Sequence, residues 1–290
     1  MKTRFTLLIL VLLSLVLAAC QQAGSPVPAD PVEAVKLIAD KQKDIKTQHL
    51  DLTLDLGLKI AGVKTEDASS QQALALFKNF KGNLTASGDI DTSKNDLGLK
   101  GAVDLGPLTA FLAQGADKLE FEIIKIGDKM YTKAAGQDWS ETDVTASTTV
   151  SDTSKPQFSA QQITDLLKKT AKAEKLADEK IDNVDSFHYK VTLNTIDLLT
   201  ELQKLAQSTG EAQAVDPKQM EEAQKVLKDS TVEVELWVGK ADLYIRQQNI
   251  HFTLNVKDIP DQPDATVNVD LTVNTKTTKI NEPITLSAPK

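Results

Sequence analysis

Leu50-Asp51-Leu52-Thr53-Leu54-Asp55-Leu56-Gly57-Leu58-Lys59-Ile60 puts an aliphatic side chain at every second position. Successive residues of an extended chain point to opposite faces, so this spacing makes one oily face and one wet face. The wet face carries Asp51, Thr53, Asp55 and Lys59, which excludes a strand buried on both sides. An antiparallel sheet covered on a single face is the architecture such a strand fits.

The same alternation recurs along the chain. Leu84, Ala86, Gly88 and Ile90 form one run and Leu97, Leu99, Gly101, Val103 and Leu105 the next, with a polar turn over 91–96 between them. Leu119, Phe121 and Ile123 alternate, then Ile124 and Ile126 continue in the opposite phase, which predicts a bulge. Later runs begin at Phe187, Val232, Ile250 and Val267, and residues 239–242 turn the Val232 run into Leu243-Tyr244-Ile245. Short polar turns between strands predict a meander. Asp30-Pro31-Val32-Glu33 opens a helix, with aspartate at the cap, proline in the first turn and glutamate reaching back. Further amphipathic helices are expected over 69–80, 106–114, from Ser159, over 195–207 and from Asp216 to Lys228. Residues 142–154, rich in Thr, Ser and Asp, read as a surface loop.

The N-terminus has a different grammar. Lys2 and Arg4 precede an apolar run, and Leu17-Ala18-Ala19-Cys20 ends it. A positive start, a short apolar core and small residues before a cut describe a secretory signal. The core over 7–17 is too short to span a bilayer, which takes about 20 residues. Cys20 is the only cysteine, and its setting resembles the lipobox of bacterial lipoproteins, in which the thiol takes a diacylglycerol. The boundaries expected are a signal over 1–19, a lipidated cysteine and Pro-containing linker over 20–29, and one domain over 30–290. The domain then lies outside the cytoplasm, anchored through acylated Cys20 to the cell membrane, or to the outer membrane of a two-membrane host. With that thiol committed, no disulfide helps hold the fold.

Composition excludes several classes of function. The net charge is −8, and loss of Lys2 and Arg4 with the signal deepens it to −10. An acidic surface argues against nucleic acid and against capture by anionic head groups, and only 4% of residues are aromatic, too few for stacking platforms. His49, His188 and His251 fall on the polar phase of predicted strands and read as solvated; none has a partner at metal spacing, so no metal or cofactor is expected. Asp89-Ile90-Asp91-Thr92-Ser93-Lys94-Asn95 imitates a calcium loop but has Lys94 where the turn glycine belongs, and reads as a hairpin turn. No nucleophile elbow or isolated carboxylate pair appears, so no enzyme activity is expected. Trp237 projects from the face opposite Leu236 and Val238, either beneath a loop or at a rim where a ligand or partner could meet it.

A broad sheet with one oily face needs a cover, and amphipathic helices are the available one. If they close fully, the result is a core; if they leave a gap, it is a dry cavity suited to acyl chains. Residues 186–193 (Ser-Phe-His-Tyr-Lys-Val-Thr-Leu) and 234–240 (Val-Glu-Leu-Trp-Val-Gly-Lys), followed by Leu243-Tyr244-Ile245-Arg246, resemble the LppX/LprG lipoproteins and their LolA/LolB-like superfamily. That resemblance implies a half-open barrel with helices plugging its concave side, and a protein that holds or carries lipid. Residues 69–80 and 142–154 depart from the family's outline.

The expectation is therefore an α+β fold, a large curved antiparallel sheet with amphipathic helices over its concave face, holding a lipid or lipidated small molecule. Leu74, Phe77, Phe111, Leu112, Leu166, Leu167, Ile196, Leu199, Leu202 and Leu205 are the expected cavity lining, and are also what a plain core would use. The alternative is a non-catalytic sensor or scaffold that binds an envelope protein partner.

Overall fold

The computed structural model describes residues 27–65, 67–112, 117–144, 171–197, 199–200, 221, 224–257, 262 and 264–289. Twelve strands form one antiparallel sheet: β1 (Thr47–Ala61), β2 (Asn79–Asp91), β3 (Asp96–Asp104), β4 (Leu119–Ile126), β5 (Lys129–Ala134), β6 (Ser140–Asp143), β7 (Ala171–Lys175), β8 (Glu179–Ile181), β9 (Val184–Leu193), β10 (Thr231–Gly239), β11 (Ile245–Val256) and β12 (Thr266–Thr278). The order is β6-β5-β4-β3-β2-β1-β12-β11-β10-β9-β7, with β8 also paired to β9. Two meanders, β1 to β6 and β9 to β12, join through the first and last strands. β6 and β7 stand at opposite ends of the order, so the sheet is open. Among the described residues, helices α1 (Pro31–Lys41), α2 (Ala68–Phe77) and α3 (Pro107–Leu112) accompany it, and 195–197, 199–200 and 224–227 are helical as well.

Register aligns the oily faces of successive strands. One row reads Ala173, Val191, Val234, Ile250, Val273, Leu54, Leu84, Val103, Leu119, each residue paired with the next. One-residue slippage anywhere would turn a strand's aliphatics to water, so the pattern itself pins the register. The opposite face is a polar mosaic, and the row Glu235, Asn249, Asn274, Thr53, Thr85 crosses it in the same way.

The tightest packing lies under α1. Asp30 caps it, accepting from the amides of Val32 at 2.8 Å and Glu33 at 3.1 Å, and Pro31 opens its first turn. Glu33 does not reach back to the cap; its carboxylate pairs with Lys36 one turn on. Ala34, Val35 and Ile38 pack on Phe187, Tyr189 and Val191 of β9 and Leu236 and Val238 of β10, with Leu243 beside them. Gln42, in the 3-10 turn after α1, donates to Leu243 O at 3.1 Å and accepts from Ile245 N at 3.0 Å, tying the helix to the β10–β11 turn.

Several sequence expectations are corrected. β4 pairs evenly with β3 and β5 from Leu119 to Ile126, so no bulge shifts its phase. Ile124 instead projects from the polar face. There the C-terminal tail lies over its β3 partner Gly98: a Cβ on Gly98 would meet Leu286 Cδ2 at 2.7 Å. The register shift of this sheet falls at Trp237/Val238. Phe80 belongs to β2 and not to the preceding helix, and residues 142–143 extend β6 rather than start a loop. The helix expected from Ser159, the loop over 145–154 and most of the helices over 195–207 and 216–228 lie outside the described residues.

Candidate functional site

Burial changes across the oily face. Beneath α1, Val238 is 0% and Tyr189 2% exposed. Burial pushes the Tyr189 phenol above its usual titration range, and the nearby Asp178 charge adds to the effect. Away from α1 the face is only half-buried: Leu50 to Ile60 on β1, Val267 to Val273 on β12, Leu97 to Val103 on β3 and Phe121 to Ile123 on β4 all keep partial exposure. Phe80 and Ala86 are the buried exceptions on β2. Among the described residues, α1 covers the β9–β10 end and α2 touches the rim of β1 and β2. The central strands present a continuous aliphatic surface between them.

Three hollows lined by described residues adjoin the sheet. One of about 240 Å³ lies beside the 3-10 turn, lined by Gln42, Ile45, Gln48, Leu50, Gln248 and Thr275. It falls below the roughly 300–1,000 Å³ of small-molecule sites, and amide and hydroxyl groups line much of it. A second, about 470 Å³, lies between the end of β1 and α2, against Ile60, Val63, Gln71, Leu74 and Ala75. The largest, about 710 Å³, is a trough lined mainly by polar-face residues, among them Asp51, Thr53, Ser87, Lys100, Glu120 and Glu122. His49 stands next to it, 2.6 Å from Asp89 and 3.2 Å from Ser87 Oγ.

The expected lining is placed in part. Leu74 lines the 470 Å³ hollow, and Phe77 on the same helix is 37% exposed. Ile196 and Leu199 are partly buried just beyond β9. Phe111 and Leu112 end α3, with side chains outside the described set, and Leu166, Leu167, Leu202 and Leu205 lie outside the described residues, as does Cys20. Sequence reading places the cavity between sheet and helices and takes its lining residues from the helices. The extended oily surface lies on the strands themselves, and the alternation at Leu50–Ile60 was its signal.

His188 corrects its own expectation. It is 6% exposed and lies between two carboxylates: Nδ1 is 3.3 Å from Glu179 and Nε2 3.2 Å from Glu235. Its ring stacks on Trp237 at 4.3 Å, and the Trp237 indole donates to Glu179 at 3.0 Å. Trp237 is therefore buried, packed against His188 and hydrogen-bonded to a β8 carboxylate. Among the described residues no group of three or more His, Cys, Asp or Glu side chains is arranged to hold a metal ion, and no helix is long and apolar enough to cross a membrane.

In outline the chain is similar to the crystal structure of the Mycobacterium tuberculosis lipoprotein LppX, with 12% identity and a TM-score of 0.38 over 87% of this chain and 97% of that one. It is similar also to LprF from Mycobacterium bovis, at 11% identity and TM-score 0.38 over 90% and 99% of the two chains. A putative outer membrane lipoprotein-sorting protein domain from Vibrio parahaemolyticus matches at 8% identity and TM-score 0.23, over 87% and 93%. No protein-family model and no curated protein sequence matches the chain.

Proposed function

We propose that this domain binds lipid acyl chains on the oily face of its sheet while acylated Cys20 tethers it outside the cytoplasm. The observation that carries the reading is the paired aliphatic row from Ala173 to Leu119, sealed by α1 at the β9–β10 end and half-buried across the central strands. A hydrocarbon chain laid there needs no charged clamp. Removing methylenes from water is worth about 0.8 kcal/mol each, or roughly 10 kcal/mol for a fatty acyl chain before ordering costs. Leu54, Leu84, Val103, Ile250 and Val273 form the floor. Leu74, Phe77, Phe111, Leu112, Leu166, Leu167, Ile196, Leu199, Leu202 and Leu205 supply the cover from the helical segments.

Organic extraction of the purified chain, followed by mass spectrometry, tests this directly. Acyl lipid should be recovered in near-stoichiometric amount, and a fluorescent fatty acid should exchange into the protein. Leu84→Gln, which puts an amide in the middle of the floor, should weaken that uptake at least fivefold while circular dichroism stays unchanged. Extracts free of lipid, together with no uptake by the unsubstituted chain, would overturn the reading. The scaffold alternative finds less support: the exposed edge strand β6 is short and carries Glu141 and Asp143, which blunt strand addition.

A further inference from the structure

Helix α2 sits in the connection between β1 and β2, at the opposite end of β1 from α1 and the tether. Fifteen residues of β1 separate the two ends, about 50 Å of extended chain. Leu76 is 42% and Phe77 37% exposed, two of the three large hydrophobic side chains exposed among the described residues. The Phe77 ring lies 5.8 Å from that of Phe80, and Phe80 pairs with Leu58 in an outer row of the oily face. The exposed apolar surface of α2 thus meets the proposed lipid floor through Phe77 and Phe80, and Leu74 of the same helix lines the 470 Å³ hollow against Ile60.

The β1–β2 connection is locally more basic than the molecule, while the β11–β12 connection that meets it at Lys64 brings Asp264 to the same rim. Residues 59–81 carry Lys59, Lys64, Lys78 and Lys81 against Glu66 and Asp67, in a chain of net charge −8. Lys64 pairs with Asp264 at 2.8 Å. Lys59, Lys78 and Lys81 are exposed and form no ion pair with a described residue. The reading of the whole chain as too acidic for anionic head groups holds for its average, not for the lysines of the β1–β2 connection.

We propose that the α2 rim docks on an anionic lipid surface, Leu76 and Phe77 entering the headgroup boundary and the lysines facing the head groups, and that acyl chains pass over Phe77 and Phe80 onto the sheet. Aliphatic and aromatic side chains flanked by lysines are the chemistry that settles at such a boundary. The passage rests on the lipid-binding reading; the docking rests only on the acylated tether proposed with it. The tether explains how so small a patch suffices. It holds the domain at high effective concentration over the bilayer, so docking needs little affinity of its own.

The test uses the full chain reconstituted into phosphatidylcholine:phosphatidylglycerol vesicles. An environment-sensitive dye is placed by Phe77→Cys, or by Glu141→Cys on β6 as the water-facing control, and the unsubstituted chain is carried through the same labelling to subtract any signal from Cys20. A nitroxide on the upper acyl chain should quench the dye at residue 77 at least threefold more than at 141. That excess should disappear in a Lys59→Glu, Lys78→Glu, Lys81→Glu variant and in pure phosphatidylcholine. Equal quenching at the two sites, or an excess that persists in pure phosphatidylcholine, would overturn the proposal. So would a concentration-dependent blue shift at residue 77 without vesicles, which would mean that a second copy covers the patch. Uptake of fluorescent fatty acid without vesicles separates the two readings. Retained uptake with lost quenching in the lysine variant supports docking as a distinct step; loss of uptake in the unsubstituted chain removes lipid binding and leaves docking to be judged by the quenching.

Discussion

Gly88 stands in the middle of the oily face, paired with Leu50 on one side and Leu99 on the other. A Cβ there would lie 1.9 Å from the Gly98 carbonyl oxygen, a backbone atom that can yield only if β2 and β3 separate. Gly88→Ala should therefore destabilise the protein by about 1–3 kcal/mol, the usual cost of overpacking, read as a lower urea midpoint. Sequence alternation marked Gly88 as an oily-face position but could not say that the neighbouring strand comes this close. His188 was missed for a related reason. Its polar phase was legible, but Glu179 reaches it from another strand, and nothing in the local string announces a carboxylate on each ring nitrogen.

Among elements, the long strands were legible because each alternates for many residues. β6, β7 and β8 were not, since Ser140–Asp143 and Glu179–Ile181 are short and mostly polar or charged, and Ala171–Lys175 offers only Ala171 and Ala173 as an apolar phase. Ile124 misled because the tail at Leu286 covers part of the polar face beside it, an arrangement no local pattern encodes. The β2–β3 hairpin was read correctly as a turn. Asp91, 5% exposed, accepts from Ser93 N at 3.0 Å, Ser93 Oγ at 2.5 Å and Lys94 N at 3.1 Å, with Asn95 at φ 59°. The Ser93 hydrogen bond leads in holding its carboxyl below the ordinary 3.8, against the opposing effect of burial. A depressed carboxylate stabilises the fold above its unfolded-state value and loses that contribution as pH falls through the folded-state value. Asp91→Asn should lower the urea midpoint at pH 7, and the gap from the unsubstituted protein should narrow below pH 3.8. A gap independent of pH would mean that the turn depends on shape rather than on the charge.

At the scale of the molecule, the meander was legible but its closure was not: neighbouring strands announce their pairing through short turns, whereas β1 and β12 pair across most of the chain. That seam joins the two half-sheets, and β12 is hydrogen-bonded on both flanks. Leu271→Pro would remove a central donor and wedge a ring into the ladder, so it should abolish the cooperative far-ultraviolet transition. Thr142→Pro on edge strand β6 should shift stability by less than about 1 kcal/mol. The seam also brings the two ends of the fold together: Lys46 N donates to the Asn281 side chain at 2.7 Å, and Asn281 N to Thr47 O at 2.8 Å. Read in space from β7 through β12 and on through β1 to β6, the sheet is one uninterrupted ribbon of paired strands. A circular permutant that joins residue 289 to residue 30 and opens between β6 and β7 would turn the most distant pairing of this polypeptide into an ordinary neighbour contact.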